Sequence, residues 1–124
     1  MNQLQKSLRL NAIFSSLSGV LLIALNKTLA NLFTVSDSSV FWIVGIGLIF
    51  FASTIAFEIK RQKRMGVILI IIQDYIWVLG SVILLIFQPF EISGIGNVII
   101  GVVALLVLFM GVNQGRALSK IESN

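Results

Sequence analysis

Four stretches of this chain stay apolar for about the length needed to cross a bilayer, and only short polar segments separate them. A hydrocarbon core of ~30 Å is crossed by roughly 20 helical residues rising ~1.5 Å each. The stretches run over about 10–33, 39–58, 65–87 and 92–113. Inside hydrocarbon every backbone N–H and C=O must be satisfied within the segment, so these are read as helices. The expected fold is all-α: an antiparallel up-down-up-down bundle of four transmembrane helices, forming one integral membrane domain over 1–124. The first stretch reaches full length only if it continues through "LNKTLANLF", with Lys27 snorkelling outward. Otherwise that segment lies in the interface, with Leu25, Leu29, Leu32 and Phe33 facing lipid.

Composition supports lipid as the solvent. Of 124 residues, 57% are hydrophobic and only 11% charged, whereas soluble domains are about a quarter charged. The net charge of +4 raises the question of nucleic acid, but the placement of the cations answers it. Lys6 and Arg9 precede the first span, Lys60, Arg61, Lys63 and Arg64 fill the loop between the second and third, and Arg116 and Lys120 follow the fourth. Only Lys27 falls on the opposite side. Eight of nine cations therefore share one side, which places both termini in the cytoplasm and the protein in the cell (inner) membrane as a multi-pass chain. The run "KRQKR" reads first as this retention signal. It is also suited to anionic lipid headgroups, at ~1 kcal/mol per cation. No nucleic-acid partner is expected, because the patch is short and held tight between two spans. The N-terminal segment has two cations before an apolar run, as a signal peptide does, but the run is too long and is read as a retained first helix.

The linkers are short. In "TVSDSS", Ser38 or Ser39 is placed to cap the second helix. In "QPFEIS", Pro89 sits where a helix should stop. There is no Cys and no His. That removes disulfides, thiolate nucleophiles, Cys or His metal sites and Ser-His or Cys-His catalysis. With no phosphate loop, paired carboxylates or metal cluster in the sequence, neither an enzyme nor a cofactor is expected.

The exception to the apolar pattern is Asp74, in the third span. It lies nine residues beyond Met65, so about 13 Å into the membrane. An acid there costs ~2.5–3.5 kcal/mol on insertion scales. No span offers a cation at that depth. The expected partners are hydroxyls: Ser15, Ser16 or Ser18 on the first helix, or Ser53 and Thr54 on the second. Trp77 and Ser81 share its helical face, so Asp74, Trp77, Ser81, Ser15 and Ser18 form an expected intramembrane polar site. Gln73 points about 100° away, toward a different interface. Two readings of Asp74 stand. In one it is the proton or cation site of a small transporter or channel. In the other it sets helix register or contacts a partner protein.

Small-xxx-small pairs occur at Ser15/Gly19, Ala52/Ala56 and Gly111/Gly115, which permit close helix approach within the chain or an oligomer seam. Gly45, Gly47, Gly94 and Gly96 thin the outer halves of the second and fourth spans. Phe41, Trp42, Phe87 and Phe90 lie where interfacial anchors belong, while Tyr75 and Trp77 flank Asp74 at depth. Asn11, Asn97, Asn113 and Glu58 fall near helix ends and are read as solvated or capping. A faint parallel repeat pairs "LSGVLLIA" with "LGSVILLI" and "VGIGLIFF" with "SGIGNVII".

The stretches "LNAIFSSLSGVLLI" and "DYIWVLGSVILL" resemble a pattern found in small four-span bacterial membrane proteins. The resemblance implies a four-helix bundle and no activity. Size and span count are similar to small multidrug resistance transporters, but those carry their essential acid in the first helix, where this chain has none. The leading functional expectation is a non-enzymatic membrane protein serving as an oligomeric or accessory assembly module, with a homo-oligomer or a membrane partner protein. The alternatives are a small transporter or channel using Asp74, and a binder of lipid or another apolar small molecule.

Overall fold

The computed structural model describes residues 2–88 and 91–123, with side chains as far as Lys120. It has five helices: α1 (Gln3–Ala24), α2 (Asn26–Phe33), α3 (Ser39–Arg61), α4 (Arg64–Phe87) and α5 (Gly94–Ser123). No strand occurs among the described residues. Four of the helices, α1, α3, α4 and α5, are long and apolar enough to span a membrane. Large apolar side chains cover their outer faces: Phe50 is 72% and Leu105 69% exposed. A surface of this kind marks contact with lipid or with other apolar chains. The architecture is the antiparallel four-span bundle that the apolar pattern predicts.

The first span differs from expectation at both ends. It starts at Gln3 rather than near residue 10, because Asn2 and Gln5 form a capping box. Asn2 Oδ1 accepts from the Gln5 N–H at 2.8 Å, and the Asn2 N–H donates to Gln5 Oε1 at 3.2 Å. These bonds satisfy two orphan donors and let a polar first turn be helical. The span ends at Ala24. Asn26 Nδ2 donates to the Ile23 carbonyl at 2.7 Å, local side-chain bonding that competes with continued helix. The segment "LNKTLANLF" is therefore mostly a separate short helix, α2. Leu25 and Leu32 are exposed as expected. Leu29 and Phe33 are not: Leu29 packs on the cluster of Ala30, Phe33 and Phe41. Phe41, expected at the interface, is 7% exposed and meets Phe33 edge-on with ring centroids 5.3 Å apart. Trp42 and Phe87 do face outward. Phe90 and Pro89 lie outside the described residues.

Helix caps come from other residues than the hydroxyls suggested. Ser38 makes no side-chain cap; Asp37 Oδ1 accepts from the Ser39 N–H at 2.9 Å instead. That bond, together with the Ser39 side chain, holds the Asp37 carboxyl below its ordinary pKa. Ser93 Oγ donates to the Leu32 carbonyl at 2.7 Å and accepts from the Gly96 N–H at 3.1 Å. One serine thus ties the end of α2 to the start of α5.

Packing is uneven around the bundle. α1 lies along α3, α4 along α5, and α1 meets α5, while α3 and α4 touch sparsely. The α1–α3 contact is backbone to backbone at Gly19 and Gly45, where a Cβ on either would stand 2.7–2.8 Å from the other's carbonyl oxygen. At least one small residue of the Ser15/Gly19 pair therefore serves packing within the chain. Leu4, Leu8, Ile55, Val67, Ile70, Ala117 and Leu118 form a core at one end. This end carries the eight clustered cations. The Ala30–Phe33–Phe41 core closes the other.

Glu58, read as solvated or capping, is 5% exposed. Its Oε1 lies 2.7 Å from Arg61 Nη2, and its Oε2 accepts the Lys63 N–H at 3.2 Å. It fastens the tight turn between α3 and α4.

Candidate functional site

The buried faces of three helices converge between the two cores. On α1 the buried positions are Leu4, Ser7, Leu8, Asn11, Ser15 and Gly19, one face at helical spacing. On α4 they are Val67, Ile70, Asp74 and Ser81. On α5 they include Ala104, Val107, Met110, Gln114 and Ala117. Each face carries one long polar side chain near the same level: Asn11, Asp74 and Gln114, at 0%, 3% and 0% exposure.

These three form a closed triangle. Asn11 Nδ2 donates to Asp74 Oδ2 and to Gln114 Oε1, both at 2.9 Å. Gln114 Nε2 donates to the same Asp74 Oδ2 at 2.7 Å. Ser15 Oγ donates to Asn11 Oδ1 at 3.0 Å. The donor and acceptor ends of both carboxamides follow from this network. In hydrocarbon the alternative is an unsatisfied polar group, so the triangle fastens α1, α4 and α5 at one level. Asp74 Oδ1 accepts no hydrogen bond among the described residues and is not sealed off.

The hydroxyl partners expected for Asp74 are therefore replaced by carboxamides. Ser15 reaches the acid only through Asn11. Ser53 and Thr54 donate to carbonyls of their own helix, at Ile49 and Phe51, and are exposed. Asn11, read as a solvated helix end, is inside the span because α1 begins at Gln3. Gln114 lies beyond the apolar run, which stops at Asn113, while the helix and its buried face continue to Ala117 and Leu118. A signal existed: Val107, Gly111, Gln114 and Leu118 keep helical spacing past the end of the run. Asn97 pairs with Gln88 at 2.9 Å, and Asn113 Nδ2 donates to Ser7 Oγ at 3.3 Å.

Asp74 lines a cleft of about 710 Å³ walled by residues of all five helices, and α3 and α4, which touch sparsely, border it on two sides. Its walls are apolar: Leu21 and Leu22 of α1, Val44 and Leu48 of α3, Leu84 of α4, and Ile99 and Val103 of α5. The polar groups on it are Asn11, Ser15, Ser18, Gln73, Asp74, Trp77 and Ser81. All five residues of the expected intramembrane polar site thus line this one cleft. Ser81 Oγ is spent on its own helix, donating to the Trp77 carbonyl at 2.9 Å. Trp77 Nε1 is buried and has no partner among the described residues.

The basic residues form a separate site at the α3–α4 turn. Lys60, Arg61, Lys63 and Arg64 are exposed there, and the Arg61 guanidinium lies 4.9 Å from the Phe57 ring centroid. Among the described residues no group of His, Cys, Asp or Glu is placed to hold a metal ion. What this arrangement offers chemically is a shaped apolar space with one acid at its base. Comparison with family models, curated proteins and solved structures finds no match to this chain.

Proposed function

We propose that this protein is a non-enzymatic multi-pass membrane protein that takes a mostly apolar molecule from the bilayer into the cleft beside α3 and α4. The observation that carries this reading is the cleft itself, about 710 Å³ with apolar walls and a few convergent polar groups. Small-molecule sites have this size and character. Entry is lateral, through the seam where α3 and α4 touch sparsely. Asp74 Oδ1 supplies the polar contact at the base, while Oδ2 is held by the triangle. By the positive-inside rule the end bearing eight cations faces the cytoplasm.

A second reading is favoured by the same open seam: a helix of a second copy or of a membrane partner fills it, and the protein is an assembly module. Coupled transport through Asp74 is weaker, since two carboxamides hold that side chain and no second titratable group lines the cleft among the described residues.

The chain has two tryptophans, Trp42 and Trp77. Trp42 faces outward and Trp77 lines the cleft. In a Trp42→Phe variant in nanodiscs, a bromoalkyl alcohol should quench Trp77 fluorescence saturably. Gly47 lines the cleft, and a Cβ there meets nothing within 4 Å, so Gly47→Leu should fill the space and abolish saturation. Quenching that rises linearly with probe, and is indifferent to Gly47→Leu, defeats the proposal. A stable dimer with Trp77 shielded favours assembly instead.

A further inference from the structure

The seam between α3 and α4 has two halves. Toward the cationic end it forms a second groove of about 540 Å³. Phe57, Leu69 and Ile70 line it, with Arg61 and Gly66 near the turn. Phe51 and Gln73 line both spaces, so the seam is continuous from Arg61 to the level of Asp74. Along α3, Arg61 lies ten residues from Phe51, about 15 Å. That is the depth of one leaflet, half of a ~30 Å core.

Arg61 is held at the mouth of this groove. Glu58 binds one of its nitrogens at 2.7 Å, and Phe57 underlies the guanidinium at 4.9 Å. Glu58 is itself fixed by the Lys63 N–H and packs on Gly66, where a Cβ would collide with its carboxylate. The Arg61 side chain remains 40% exposed, with N–H donors beyond the one facing Glu58. Lys60 and Lys63 are exposed beside it. Against one carboxylate, these three cations leave the mouth positive.

We propose that this groove binds one anionic phospholipid of the leaflet at the cationic end. Its phosphate sits on Arg61, and one acyl chain lies between Phe57 and Leu69, pointing toward Gln73. The site is distinct from the cleft at Asp74 in place and in ligand charge, and it stands whether or not that cleft is filled. Diffuse attraction to an anionic surface gives about 1 kcal/mol per cation, or about fivefold, and treats Lys60, Arg61 and Lys63 alike. A seated phosphate does not, because charge-assisted bonds to a guanidinium are directional.

The test uses the full chain in mild detergent, titrated with phosphatidylglycerol, phosphatidylcholine or inorganic phosphate. Binding is read by thermal denaturation and by native mass spectrometry. Phosphatidylglycerol should bind saturably at one per chain and raise the melting temperature, with phosphatidylcholine at least tenfold weaker and phosphate inert. Arg61→Gln should weaken phosphatidylglycerol more than tenfold, and Lys60→Gln fivefold at most. Leu69→Trp, which narrows the groove and keeps every cation, should also weaken it more than tenfold. Equal losses at Arg61 and Lys60 would mean diffuse attraction and overturn the proposal. So would equal response to phosphatidylcholine, a shift produced by phosphate alone, or a Leu69→Trp variant that binds normally. If Arg61→Gln does not fold, the lipid comparison and Leu69→Trp decide the matter.

Discussion

Asn11→Leu removes three hydrogen bonds at once with little change in volume. Asp74 Oδ2 loses one of its two donors, Gln114 Oε1 loses its donor, and Ser15 loses its acceptor. Hydrogen bonds between membrane helices average about 0.6 kcal/mol and reach about 1.7, so three give roughly 2–5 kcal/mol. Ser15 can turn back to its own helix, as Ser53 does at 3.1 Å, which recovers part of one bond. The expected loss is about 2–4 kcal/mol. Asn113→Leu is the control: it removes one long bond of 3.3 Å and should cost under about 1 kcal/mol. The assay is reversible unfolding in mixed detergent micelles, followed by circular dichroism. A double-mutant cycle of Asn11→Leu with Asp74→Leu should show coupling of at least about 1 kcal/mol. If Asn11→Leu matches wild type, or the two changes add without coupling, the triangle does not fasten the bundle and the reasoning is wrong.

Gly19→Leu should destabilise the protein by about 1–3 kcal/mol, because its Cβ would stand 2.8 Å from the Gly45 carbonyl oxygen; Gly101→Ala, with nothing within 4 Å, should instead stabilise by up to about 1 kcal/mol, both read by melting in detergent. Gly66→Ala should cost about 1–3 kcal/mol and raise proteolysis at the α3–α4 turn, because the new methyl group would displace the Glu58 carboxylate. Asp37 has a depressed pKa from the Ser39 N–H, so its contribution is present at neutral pH and fades as pH falls through the carboxylate range; the protection factor of the Ser39 amide should fall only in acid, and one unchanged down to pH 3 would contradict this.

The spans and the clustering of eight cations were legible because both depend on one-dimensional properties: apolar run length, and the identity of the residues between runs. The place of Asp74 midway along its helix was legible for the same reason, being a distance along the chain. Its partners were not. Apolar runs mark what lipid touches, whereas helices extend past lipid whenever a cap can satisfy their ends. Asn2 and Gln5 carry α1 outward by several residues, which turns Asn11 from a helix end into a buried side chain. The same effect on α5 concealed Gln114. Glu58 looked solvated beside "KRQKR", but the turn at Gln62 and Lys63 brings α4 back over it. Phe41 turns inward because α2, set off from α1 at Leu25, presents Phe33 to it. The cleft itself was not legible, because it is a space left among helices where α3 and α4 fail to close on each other, and no residue pattern records it.

The central question for this protein is whether the cleft beside α3 and α4 holds a ligand. Native mass spectrometry of the protein released from mild detergent measures this directly. Wild type should retain one small apolar adduct in addition to any phospholipid. Gly47→Leu, which fills the cleft and leaves the cationic groove intact, should lose that adduct and keep the phospholipid. An identical set of adducts in both proteins, or no small adduct in wild type, contradicts the claim.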